Sequence, residues 1–134
     1  MIDEDFILSR INRSKEALDE AKLMFSSGYN LTMVNRLYYA VFYLVSAYLA
    51  TKGLITKTHS GAKAQFQLEF VKAKIVDENL AGLYNDLFHE RNDSDYGDFE
   101  TISKEDAKEL LSETEVVLKE YWERFEAYRK TNFR

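Results

Sequence analysis

Two histidines, no cysteine and no phosphate-cradling loop of glycine, lysine and serine leave this 134-residue chain few routes to chemistry. Neither His59 nor His89 belongs to an H-E-x-x-H or a Glu-x-x-His spacing, so no metal site and no cofactor are predicted. What remains are polar residues on apolar stripes. Asn35 follows Leu31 by four positions and precedes Tyr38 by three, on the core face of a strongly apolar helix. Arg91 lies eleven positions after Leu80, about 20° from it around a helix of 3.6 residues per turn. It therefore continues an inward stripe, and a guanidinium that keeps its proton must meet anions or water there. One partner is an acid of the 93–98 cluster; the other is a bound anion. Arg36, Tyr39 and Tyr43 share a second face of the same helix as Asn35. An arginine framed by tyrosines suits a phosphate with bases stacked on the rings, although rings at this spacing equally fill cores. His59, in Lys57-Thr58-His59-Ser60, stands before a predicted helix start. It is placed as a capping histidine beside a helix N-terminus that can receive an anion.

The elements that position these residues are helical throughout. The chain has no proline, where average usage of about 5% would give several, so long unbroken helices are expected. A first helix is predicted over 4–27, its stripe Ile7, Ile11, Ser14, Leu18, Ala21 and Phe25 ending at Gly28 in the C′ position. A second runs from Asn30, read as its N-cap, to about Lys52. Apolar residues nearly encircle its second half, which makes it the centre of a bundle. A third is expected over 60–72 and a fourth over 77–94, with Gly82 inside it. The last opens on a Ser103/Asp106 capping pair and runs to about Lys130. Its stripe Ala107, Leu111, Thr114, Leu118, Tyr121, Phe125 and Tyr128 has a seven-residue repeat, the pattern of up-and-down packing near +20°. Its C-terminal part, with Trp122, Phe125 and Tyr128, is expected to project and pair with a second subunit. The prediction is one all-α domain over 1–134, an up-and-down bundle of four or five helices.

Composition narrows the function classes. The longest apolar run, Leu37 to Ala50, is shorter than the ~20 residues a membrane span needs, and Met1–Asp5 is acidic where a secretory leader is basic. A cytoplasmic protein without a membrane partner is expected. The net charge of −5 is unevenly spread. Lys52, Lys57, Lys63, Lys72 and Lys74 face only Glu69 in their stretch, whereas 77–109 carries a large acidic excess. An acidic chain gains little non-specific affinity for nucleic acid, so any RNA must be held by the 52–74 stretch or by a few inward arginines. The plainer reading of both stretches is two solvated faces of opposite sign.

Three segments read together: Asn35-Arg36-Leu37-Tyr38-Tyr39-Ala40-Val41-Phe42, then Lys57-Thr58-His59-Ser60-Gly61 with Phe66 and Phe70-Val71, then Arg91-Asn92-Asp93-Ser94-Asp95-Tyr96. In this order they resemble the HEPN superfamily, in particular its small stand-alone prokaryotic branch. The resemblance implies a helical bundle, commonly a homodimer with a cleft between subunits. It also implies a minimal nucleotidyltransferase as partner in toxin–antitoxin-like pairs, and nucleotide or RNA as ligand. Many relatives are metal-independent endoribonucleases that use an arginine, the polar residue after it, and a histidine a few positions on. Arg91 and Asn92 fill the first two places, but Tyr96 stands where histidine is expected, and Tyr43 stands where many relatives carry histidine on the second helix. A tyrosine with pKa near 10 is a poor substitute for imidazole near 6.5, and lost acid–base help costs about 100-fold or more. The resemblance therefore implies a nucleotide- or RNA-binding module with a polar cleft of Asn35, Arg36, Arg91, Asp95 and Tyr96, with Tyr39, Asn92 and His59 as further contacts. Its alternatives are an endoribonuclease using Arg91 with Asp95 or Tyr96, and a bundle with no ligand in which Arg91 simply bridges an acid.

Overall fold

A computed structural model describes residues 4–96 and 102–132, and the side chains of all of these except 91–96. Among the described residues there are five α-helices: α1 (Glu4–Ser26), α2 (Asn30–Thr51), α3 (His59–Phe66), α4 (Glu78–Tyr96) and α5 (Lys104–Asn132). No strand occurs among the described residues. The expected all-α bundle is therefore what the chain forms.

Contacts along each helix fix the topology. Ser14 of α1 bonds Ala40 of α2, and Glu20 pairs with Arg36, so these two helices run antiparallel. On α5, Glu115 meets Lys22, Trp122 meets Ser14, and Arg129 meets Glu4, so α5 also runs against α1. Tyr48 near the end of α2 packs on Phe70, while Tyr38 nearer its start packs on Tyr84 and Phe88. Helix α4 thus climbs back along α2, and its far end approaches the start of α2, where Asn30 donates to the Ile102 carbonyl. Helices α1, α2, α4 and α5 form an up-and-down bundle. Helix α3 lies beside it and runs the same way as α2: His59 meets Phe42, and Phe66 meets Tyr48. Residues 52–58 must therefore return part of the way along α2 before α3 begins.

Helix α2 is the centre, as its apolar run predicts. Twelve of its residues are buried, Leu37, Tyr38, Val41, Leu44, Val45 and Tyr48 among them. A cluster of Tyr48, Phe66, Phe70, Phe125 and Tyr128 fills the end of the core where α2 stops. The C-terminal part of α5 consequently does not project. Phe125 is buried, Trp122 and Tyr128 pack half-buried on the core, and Arg129 ties the helix end to α1.

Helix ends follow local chemistry. Gly28 (φ +84°) closes α1 and Gly53 (φ +72°) closes α2. At each, the amides of the glycine and of the next residue bond carbonyls three and five residues back, a Schellman cap. Asn30 is not the N-cap of α2: this turn is so short that Asn30 is already helical, and Tyr29 precedes it without a side-chain cap. Thr58 rather than His59 caps α3, its Oγ1 accepting from the Gly61 amide at 2.9 Å. Asp77 caps α4, with Oδ1 accepting from the Asn79 amide, and Ser103 Oγ caps α5 from the Asp106 amide. The third helix does not continue regularly to Lys72. It ends at Phe66 and passes into a π turn, Gln67–Val71, which is closed by Lys74 at φ +61°. The Lys74 and Ile75 amides bond Val71 and Phe70, so a lysine occupies the left-handed position that glycine fills elsewhere.

Three outcomes follow. Lys74→Gly should raise the free energy of urea unfolding by about 1 kcal/mol, since it removes a left-handed Cβ penalty that exceeds the added chain entropy. Ser14→Ala should lower it by about 1–2 kcal/mol. The fully buried Ser14 hydroxyl donates to the Ala40 carbonyl at 2.6 Å and accepts from Trp122 Nε1 at 2.9 Å, and alanine strands that indole N–H. The third outcome concerns Asp77. Its carboxylate accepts from the Tyr121 hydroxyl at 2.6 Å and from Arg124 at 3.1 Å, and these bonds hold its pKa below the ordinary value. Burial and that same bond push the Tyr121 hydroxyl up to about 12. The stabilisation is complete above the unfolded aspartate pKa of about 3.9 and disappears as pH falls through the lower folded value. Unfolding measured from pH 6 downward should therefore show the gap between wild type and Asp77→Asn constant at first and closing in acid.

Candidate nucleic-acid interface

The side chains singled out on α2 fall into two adjoining groups. The first centres on Tyr38, which is fully buried and whose hydroxyl lies 2.8 Å from His59 Nδ1. His59, in the first turn of α3 and half-buried, rests among three rings of α2: Phe42 at 4.6 Å, Tyr38 at 5.6 Å and Tyr39 at 5.7 Å between centroids. On the far side of Tyr38, Tyr84 and Phe88 of α4 each pack at 6.3 Å. Burial and the neighbouring Tyr38 raise the Tyr84 hydroxyl far above the ordinary tyrosine range, so it stays protonated. Lys63, one turn beyond His59 on α3, stands over the Phe88 ring at 5.3 Å.

The second group is a row along the outer side of α2. The Arg36 guanidinium lies 5.0 Å over the Tyr39 ring, donates to Asn35 Oδ1 at 2.8 Å and pairs with Glu20 at 3.3 Å. Tyr39 and Tyr43 pack at 6.0 Å. Beyond Tyr43 come two arginines of α1. Arg13 donates to the Tyr43 hydroxyl at 3.0 Å, and Arg10 lies between the Phe6 and Tyr43 rings. The result is a sequence of cation, ring, ring and cations spanning two turns of α2, about 10 Å at 1.5 Å per residue. Asn35 is half-buried at the edge of this row rather than inside the core, and it serves to hold Arg36. Arg10 and Arg13 were not singled out from the sequence. Their three-residue spacing on one face of α1 was the available signal, but only antiparallel packing against α2 brings them to Tyr43.

Arg91, Asn92, Asp95 and Tyr96 occupy the last turns of α4, and their side chains lie outside the described residues. Their backbone positions are nonetheless constrained. Positions 84, 88, 91 and 95 share one face of α4, and α4 runs antiparallel to α2 with Phe88 at the level of Tyr38. The residues after 88 therefore advance toward the first turns of α2, where Asn35 and Arg36 lie.

The lysines of the 52–74 stretch have differing surroundings. Lys52 pairs with Glu69 and lies over Phe70, and Lys72 and Lys74 line a groove of about 670 Å³ together with Asp77 and Glu78. Lys63 instead stands over the Phe88 ring. Among the described residues no group of three histidine or acidic side chains stands close enough to hold a metal ion, and no helix is long and apolar enough to cross a membrane.

Comparison with known proteins places this geometry. A UPF0332 protein of Thermotoga maritima is 42% identical over 106 residues, which cover 79% of this chain and 80% of that protein. A protein of Methanocaldococcus jannaschii whose name marks it as a candidate toxin is 32% identical over 108 residues, 81% of this chain and 74% of its own. A UPF0332 protein of Archaeoglobus fulgidus is 28% identical over 109 residues, 81% of this chain and 86% of its own. The model of the HEPN domain matches residues 7–124, and the chain belongs to that family.

Proposed function

We propose that this protein is a toxin-type HEPN module that binds single-stranded RNA, or a nucleotide, along the row from Arg36 to Arg13, with the end of α4 completing the site. The observation that carries the reading is the row itself. Two stacked-on tyrosines lie between cationic stations, and Arg10 and Arg13 form no ion pair with an acid among the described residues. In a chain of net charge −5, guanidiniums held against rings with no carboxylate in an ion pair, as Arg10 and Arg13 are among the described residues, suit phosphate, while the ring faces suit bases. Arg91 and Asn92 extend the phosphate contacts, with Asp95 and Tyr96 beside them, and Asn35 and His59 line the same cleft. The candidate-toxin name of the Methanocaldococcus jannaschii relative supports a toxin-type role. The protein acts in the cytoplasm as a homodimer beside a minimal nucleotidyltransferase, a partnership supported by the resemblance and checked by co-purification with the product of the adjacent gene.

A second reading, metal-independent cleavage of the bound RNA, is favoured by one observation: an imidazole is present at this site, although it comes from α3 rather than from α4.

The binding reading is tested by fluorescence anisotropy with labelled single-stranded RNA of random sequence and with AMP. Tyr39→Ala should weaken RNA binding about ten-fold, within the ~1–3 kcal/mol typical of one base stacked on a ring. Arg13→Ala should reduce the slope of log affinity against log salt by about one. Absence of saturable binding, or binding unchanged in both variants, overturns the reading.

A further inference from the structure

We propose that the groove between α3, its π turn and the first half of α4 is a docking site for an acidic amphipathic helix of a partner protein. The groove shares no residue with the cation–ring row, so the inference stands apart from the RNA reading.

Two hollows, of about 670 and 220 Å³, have Gln67, Val71 and Glu78 in common and make one continuous groove. Leu68, Val71 and Val76 supply apolar lining on one side, and Ala81 and Gly82 of α4 on the other. Leu68 is 54% exposed. Three local rules are broken around this groove, a convergence expected where function rather than stability sets the residue. Helix α3 gives way to a π turn over Gln67–Val71, a rare irregularity that is frequent at functional sites. Lys74 closes that turn at φ +61°, where glycine is unstrained. Gly82 lies inside α4 without a positive φ, and an alanine Cβ there would meet nothing within 4 Å beyond its own stretch of helix. Alanine would therefore fit the free protein and hold the helix better. What glycine supplies instead is a low wall over which a second backbone can pass closely.

Charge identifies the occupant. Lys63, Lys72 and Lys74 line the groove, and none of the three is in an ion pair among the described residues. Of the two acids present, Asp77 is engaged by Tyr121 and Arg124, and Glu78 stands in the first turn of α4. A chain of net charge −5 thus presents a cationic rim around an apolar floor. Its complement is a helix with apolar residues at i, i+3, i+4 and i+7 and carboxylates on the flanks. A nucleic-acid strand would answer the lysines but leave Leu68 and Val71 uncovered.

The test uses the full chain and a fluorescein-labelled synthetic helix of about 18 residues, with leucines at that spacing and glutamates on the flanks. Controls are the same peptide with lysine for each glutamate and the single-stranded RNA used above. Fluorescence anisotropy should show saturable binding of the acidic peptide, at least about ten-fold tighter than of the lysine peptide. Lys74→Gly and Gly82→Ala should each melt higher than wild type yet bind the acidic peptide about ten-fold more weakly. Because both variants stabilise the fold, a folding defect does not account for such a loss. Lys72→Glu should also weaken binding, whereas Lys108→Glu, exposed on α5 and outside the groove, should leave it unchanged. No saturable binding, equal binding of the two peptides, or undiminished binding by Lys74→Gly or Gly82→Ala overturns the proposal. RNA affinity that falls in Lys72→Glu while the peptide fails to bind overturns it and assigns the groove to nucleic acid. Self-association in sedimentation velocity that Lys72→Glu abolishes and the peptide does not displace overturns it in favour of a second copy of the chain.

Discussion

A tyrosine hydroxyl placed in the middle of the most buried helix must find a partner, because an unpaired hydroxyl in an apolar core costs about 1–3 kcal/mol. Tyr38 is that residue, fully buried, and His59 answers it across a 2.8 Å contact. Much of the architecture is consistent with this one pairing. A short antiparallel link after Gly53 would start the third helix at the end of α2. The chain instead returns along α2 for several residues, lets Thr58 cap the new helix, and only then turns inward at His59. The same ring of Tyr38 packs against Tyr84 and Phe88, so the element that orients the imidazole also sets the level at which α4 passes α2.

That shared level explains why the three motif segments, far apart in sequence, converge. The first holds Tyr38 and Tyr39, the second delivers His59, and the third continues from Phe88 toward the start of α2. Helix α1 joins them from the other side, since its antiparallel packing puts Arg10 and Arg13 against Tyr43. No single helix could present cations on both sides of a pair of rings and an imidazole beside one of them. Three helices and the start of a fourth are needed, which is why the family's sequence signal is spread over most of the chain.

Periodicity and capping residues made most of the bundle legible. Five helices, the central α2, the Gly28 and Gly53 ends and the Ser103 cap all follow from stripes and turn chemistry that act within a few residues. What could not be read depends on contacts between elements. The π turn after Phe66 keeps Phe70 packed on Tyr48 and Phe66, a demand invisible in the local pattern. Lys74 adopts a left-handed backbone because closure of that turn outweighs its preference. The end of α5 looked unpartnered only because Tyr48 and Glu4, which cover it, lie far away in the chain. The same limit applied to the site: Arg36, Tyr39 and Tyr43 were visible as one face of a helix, whereas the arginines of α1 had no sequence link to them.

Charge decides what kind of strand such a site can hold. An acidic molecule forgoes most of the counterion release that fixes basic proteins to duplex nucleic acid, since each neutralised phosphate contributes separately. Affinity here must come from few phosphates and from ring faces. A base can reach Tyr39 or Tyr43 only when it is unstacked from its neighbours, a condition met in single strands and loops and rarely inside a helix. On the proposed binding reading, weak overall electrostatics and aromatic stations together favour single strands and loops over duplex RNA.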